Sequence, residues 1–173
     1  VKDLVDAGSM SKEVINWTQG DVMNQFISGN IAMMVNGPWQ VPTMREQAPD
    51  LNWDVTLLPK DAEYASCLGG ENFGVIDGDN VDAALDFLQF ATSKDEVASY
   101  IDDFGYIAAR KDVAEGQFTD DETMQKFTEE MQYAQPRGPH AQWPEISDAL
   151  SLAVNESITG TSTPADAAAK AQS

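Results

Sequence analysis

Ile31-Ala32-Met33-Met34-Val35 is an unbroken apolar run set between Gly29-Asn30 and Asn36-Gly37-Pro38. A run of this length, closed by turn residues at both ends, is the pattern of a strand buried on both faces of an α/β sheet. Such a strand needs covering layers on two sides, so it constrains the fold more than any other segment. The rest of the chain offers it few partners. Trp53–Leu58 alternates well enough for a second strand, ended by Pro59, and Cys67–Ile76 holds a third around Gly69-Gly70. Phe104–Ala109 reads as extended.

Helical patterns fill most of the remainder. Val1–Ala7 reads as a helix tail stopped by Gly8, and Asp21–Ser28 as a short amphipathic helix closed by Gly29-Asn30. Trp39–Gln47 follows Pro38 as a helix that tolerates Pro42 only near its start. Val81, Leu85 and Leu88 share a face up to Ala91. Ser93 with Glu96, and Thr119 with Glu122, are spaced as capping boxes for helices running to about Asp102 and to Tyr133. Lys60–Ser66 and Gln135–His140 read as loops. Trp143, Ile146, Leu150, Ala153 and Ile158 form one apolar stripe, and Thr163-Pro164 with Asp166 opens a last helix. The fold class is therefore mixed α/β, helix-rich and incomplete, with too few strands for a self-contained doubly wound sheet. Val1-Lys2-Asp3-Leu4-Val5 is already in helical register, and we read the chain as a piece of a longer protein.

Charge narrows the function. With 29 acidic and 10 basic side chains among 173 residues, the net charge is −19. Nucleic acid is excluded as a partner, because its binding depends on Lys and Arg neutralising phosphates; anionic membrane surfaces are disfavoured for the same reason. Four Trp and seven Phe supply a core, which argues against disorder. Cys67 and His140 are each the only residue of their type, so neither an internal disulfide, a thiolate cage nor a His-rich metal site is available.

Catalytic patterns are also missing. The chain has no G-x-S-x-G, no H-E-x-x-H and no phosphate-binding glycine loop followed by Lys-Ser/Thr. Paired carboxylates would serve glycoside hydrolysis, but a chain this acidic produces such pairs by chance. Asp77-Gly78-Asp79-Asn80 lacks the later oxygen ligands of a calcium loop and reads as a turn with helix-capping acids. We expect no enzyme, no cofactor and no metal. Among the aromatics, Trp39 stands where a tight Asn-Gly-Pro turn enters a helix. A ring in that place either stacks on a sugar face or wedges into the core, and spacing alone leaves both open. Tyr106, between Gly105 and Ile107, is equally open; Trp53 and Trp143 read as core.

Phe26-Ile27-Ser28-Gly29-Asn30-Ile31-Ala32-Met33-Met34-Val35-Asn36-Gly37-Pro38-Trp39 resembles a stretch of the extracellular solute-binding proteins of family 1, the carbohydrate-binding proteins of ABC importers. Leu57-Leu58-Pro59, Gly69-Gly70-Glu71-Asn72, Pro139–Ile146 and Thr163–Ala167 are similar to later stretches of that family in the same order. Phe104-Gly105-Tyr106-Ile107-Ala108-Ala109-Arg110 is similar to its G-Y-x-P-x-R, with Ala108 in place of the usual Pro.

The resemblance implies a two-lobe, Venus-flytrap protein of which this chain is the C-terminal part. Residues 1–74 and 111–173 would belong to the C-terminal lobe, with a hinge strand near 67–74. Residues 75–110 would be a helical excursion into the N-terminal lobe. By the same resemblance Trp39 is the ring that stacks on sugar, Glu71 and Asn72 hydrogen-bond its hydroxyls, and Tyr106 and Arg110 are wall residues of the cleft. The implied partners are a sugar or oligosaccharide and the membrane permease of an ABC importer. The implied location is extracytoplasmic, periplasmic or as a cell-surface lipoprotein. A monomer is expected at full length, and association for the piece alone. A glycoside-active enzyme and a receptor for peptides or other small solutes are the alternatives.

Overall fold

The computed structural model describes every residue from Val1 to Ser173. In chain order its helices are α1 (Lys2–Asp6), α2 (Gln19–Ile27), α3 (Val41–Gln47), α4 (Val81–Ala91), α5 (Lys94–Tyr100), α6 (Lys111–Ala114), α7 (Glu122–Glu130), α8 (Trp143–Thr159) and α9 (Pro164–Gln172). Short 3-10 turns occupy Lys12–Ile15, Pro38–Gln40, Asp102–Phe104 and Met131–Tyr133. The strands are β1 (Ser66–Leu68) and β2 (Ala134–Pro136), paired in parallel with Cys67 opposite Gln135. The fold is thus helix-rich, with one very small sheet. It divides into two compact units: residues 1–25 with 138–173, and residues 26–137.

In the first unit α8 and α9 lie along each other, joined by a turn through Gly160 at φ 79°. Thr163 caps α9 by accepting the Asp166 N–H at 3.2 Å, as its Thr-Pro-x-Asp sequence predicts. Lys170 reaches back to Glu156 at 2.6 Å. The apolar stripe of α8 is only partly covered: Ile158 is buried, whereas Leu150 is 55% exposed.

The second unit is braced by polar cross-links between elements. Arg45 on α3 makes a two-pronged ion pair with Asp121 at 2.7 and 2.8 Å. Asp121 also caps α7, accepting the Met124 N–H at 3.1 Å. The expected Thr119–Glu122 box is therefore replaced by an Asp cap two residues later. Ser93 precedes α5 as expected, but its side chain makes no capping bond, and α5 ends at Tyr100. Val97, Ala108 and Val113 form a buried cluster flanked by Tyr100, Ile101 and Ala114. Tyr64 packs on Tyr133 with centroids 4.8 Å apart, and Lys60 Nζ sits 4.5 Å from the Tyr64 centroid. The Tyr64–Tyr133 contact brings the residues before β1 against the turn before β2, a strand that the loop expected over Gln135–His140 overlooked.

The strand expectations fail elsewhere. Ile31–Val35 is irregular, with Met33 85% and Val35 76% exposed. Trp53–Leu58 shows the alternating burial of a strand but pairs with nothing, and Cys67–Ile76 shrinks to the three residues of β1. A strand exists only where another backbone meets its hydrogen-bonding edge, and an apolar run cannot report that. Phe104 closes a 3-10 turn instead of opening an extended segment, because Gly105 takes the left-handed conformation at φ 67°.

Candidate functional site

The site grows out of the turn at residues 36–38. Asn36 Oδ1 accepts the Gly37 N–H at 3.0 Å, and Pro38 starts the 3-10 turn with its φ preset and no N–H to satisfy. Val41 and Met44 then anchor α3, exposed by only 3% and 1%, with Pro42 in its first turn where proline is tolerated. Trp39 therefore leaves a rigid corner. Its indole folds back over Gly37 so closely that a Cβ there would overlap the six-membered ring. Glycine at residue 37 is what lets the ring lie against the main chain.

Tyr106 is the facing ring. Its centroid lies 6.0 Å from that of Trp39, with the planes tilted by 38°, inside the range of favourable aromatic pairs. Tyr106 is 36% exposed and Trp39 partly buried, so the pair sits at a surface. The backbone before Tyr106 also touches the Trp39 corner. A Cβ on Gly105 would stand 2.8 Å from the Pro38 carbonyl oxygen and 2.8 Å from Pro42 Cδ. The two rings meet because residue 105 has no side chain.

The other expected site residues, Glu71, Asn72 and Arg110, are exposed. Glu71 and Asn72 lie on the irregular segment after β1. Arg110 is engaged within its own neighbourhood. Its Nε and one terminal nitrogen donate to Asp112 at 3.0 and 2.9 Å, and the other donates to the Thr92 carbonyl at 3.2 Å. The hydrogen bonds to Asp112 raise the guanidinium's already high pKa, and the same bonds lower that of Asp112. Arg110 thus ties the end of α4 to the start of α6.

Sequence reasoning missed Gln117, whose carboxamide holds the Tyr106–Ala108 backbone. The only signal was negative: Ala108, unlike the proline expected there, keeps an N–H that needs an acceptor. No polar or charged residue is buried, and no group of His, Cys, Asp and Glu is arranged to hold a metal ion. No helix is long and apolar enough to cross a membrane.

Two comparisons bear on what such a surface is for. The chain is 28% identical over 178 residues to proteins of Brucella abortus (strain 2308) and Brucella suis biovar 1 (strain 1330), both named as binding proteins. The alignments take in 98% of this chain but 43% of those relatives, so it spans less than half their length. Residues 1–126 match the family model for bacterial extracellular solute-binding proteins. That match takes in most of the chain, including both aromatic residues of the pair, and this protein belongs to the bacterial extracellular solute-binding family.

Proposed function

We propose that the chain forms part of a carbohydrate site in a solute-binding protein that delivers its ligand to an ABC importer. The observation that carries this reading is the Trp39–Tyr106 pair, two rings 6.0 Å apart at a surface corner made rigid by Gly37, Pro38 and Gly105. A ring fixed in this way offers an apolar face to the C–H face of a sugar at little entropic cost, while nearby polar groups meet the hydroxyls. Glu71 and Asn72, both exposed, supply those groups when the segment 69–76 closes over the ligand. Arg110 contributes a wall while its guanidinium stays with Asp112.

The length of the Brucella relatives supports a second part to the cleft, formed by sequence equivalent to what this chain does not cover. In the proposed two-lobe arrangement that second part lies on the opposite lobe from Trp39. Closure is a hinge motion stabilised by contacts that exist only when both lobes meet the ligand. The function is binding and delivery, without catalysis, outside the cytoplasm, with a lipid anchor or a periplasmic space keeping the protein near its permease.

Isothermal titration tests this on a protein of the relatives' length that carries this sequence. Neutral oligosaccharides are expected to bind with micromolar affinity, while peptides and polyamines give no heat. Trp39→Ala should weaken sugar binding by about tenfold, equivalent to about 1.4 kcal/mol, and leave the far-ultraviolet circular dichroism unchanged. Binding of peptides with silence from every sugar would move the substrate class to peptides. Sugar cleavage products in the titration cell would restore the glycoside-active alternative.

A further inference from the structure

The segment Tyr106–Ala108 has no strand beside it, yet it is held as if it had. Gln117 Oε1 accepts the Ala108 N–H at 2.7 Å, and Gln117 Nε2 donates to the Tyr106 carbonyl at 3.1 Å. In a parallel ladder one residue bonds the carbonyl of a residue on the next strand and the N–H two residues further on. The Gln117 carboxamide reproduces that rung opposite Ile107. Its Nε2 also donates to Asp102 Oδ1, which fixes the amide in its orientation.

This side-chain rung works against a second constraint on the same short segment. Gly105, buried and in the left-handed conformation, rests on the Pro38 carbonyl and on Pro42, the residues flanking the turn that presents Trp39. The Tyr106 N–H donates to the Ile101 carbonyl at 3.3 Å. Tyr106 is therefore held from before by a glycine contact that sets how near its backbone comes to Trp39, and from after by an amide that sets its direction. Both constraints act on the main chain, so the phenol ring is left for contact with Trp39 and with whatever lies over the pair.

We infer that Gln117 and Gly105 are positioning residues of the aromatic site: the Gln117 carboxamide aims Tyr106 at Trp39, and Gly105 sets the distance between the two rings. The consequence for ligand affinity rests on the carbohydrate reading above. The positioning itself does not, and the two are separable by experiment.

The test uses the whole chain labelled with 5-fluorotryptophan, whose four fluorine resonances report Trp17, Trp39, Trp53 and Trp143 separately. Trp39→Phe assigns the Trp39 line, and Tyr106→Leu gives its position without the facing ring. Gln117→Leu, which keeps the apolar stem and removes all three hydrogen bonds, should move the Trp39 line most of the way to the Tyr106→Leu position. The other three lines should stay in place, which distinguishes a local change from unfolding. Gln117→Glu keeps an acceptor for Ala108 but at neutral pH offers no donor to Tyr106 or Asp102, and should give an intermediate shift. Gly105→Ala should also move the Trp39 line alone, and it serves as the second variant should Gln117→Leu fail to fold. A Trp39 line at its native position in folded Gln117→Leu and Gly105→Ala proteins would overturn the inference. In the longer protein, Gln117→Leu should weaken oligosaccharide binding by about tenfold. Shifted lines with no sugar binding in the unsubstituted protein would sink the carbohydrate reading and leave the positioning intact. Native lines with normal sugar binding would do the reverse.

Discussion

Residues 31–35 and residues 105–108 are both short segments that a sequence reading makes extended, and they end in opposite circumstances. The first is apolar throughout, and its Met33 and Val35 stand 85% and 76% exposed. The second includes a glycine and lies between charged residues, Asp102-Asp103 before it and Arg110-Lys111 after it, yet Gly105 and Ala108 are buried and the backbone is held by a side-chain amide. Apolar content says what a segment would gain by being covered. Where the chain is actually held depends on which hydrogen-bonding edges find partners, and at 105–108 the partner is Gln117 rather than a strand.

That contrast is open to attack at several points. The largest effect is expected at Met44, 1% exposed beneath the Trp39 corner's helix: Met44→Ala should cost about 2–5 kcal/mol in urea unfolding, as cavities in packed cores do. A loss below about 1 kcal/mol would show that the second unit is loosely packed there. Next comes Asp121, which both caps α7 and pairs with Arg45. Asp121→Ala should cost about 1 kcal/mol for the cap, with a smaller addition for a partly exposed ion pair, and Asp121→Asn should restore the cap portion.

The same pair carries a pH signature. The hydrogen bonds from Arg45 hold the Asp121 carboxyl below its ordinary value. Its contribution is therefore present in full above the unfolded-state value of about 3.9 and is lost as pH falls from there through the lower folded-state value. Arg45→Ala should flatten that part of the acid limb in a pH series of urea midpoints; an unchanged limb would show that the pair contributes nothing measurable. Gly37→Ala should cost less stability than Met44→Ala but displace the indole that rests on residue 37, changing Trp39 emission without loss of helix signal. The smallest effect belongs to the exposed run: Met33→Lys should change stability by no more than about 0.5 kcal/mol. A large loss there would mean that the run is covered in solution.

The helices were legible to within a few residues where local chemistry marks their ends. Gly8 stops α1, Gly29 follows α2, and Thr163 caps α9 through the Asp166 N–H. The strands were not legible, because pairing is decided by residues far along the chain: β1 pairs with β2 next to the Tyr64–Tyr133 contact, which is invisible to any periodicity. Of the candidate site, the corner at Trp39 could be read from Asn36-Gly37-Pro38, since turn chemistry is local. Whether Tyr106 faces it could not, because the answer lies in Gly105 touching Pro38 and Pro42, more than sixty residues earlier. Gln117 gave no sign of its own beyond the N–H that Ala108 keeps, as a polar residue between helices reads as solvated until its partners are known.

We propose that the Trp39–Tyr106 pair receives a sugar. Tryptophan-fluorescence titration with neutral oligosaccharides, on a protein of the relatives' length carrying this sequence and on its Trp39→Leu variant, tests it most directly. A saturable emission change is expected in the first and its loss, with affinity weakened about tenfold by calorimetry, in the second. An oligosaccharide affinity that is the same in both proteins would place the site elsewhere and contradict it.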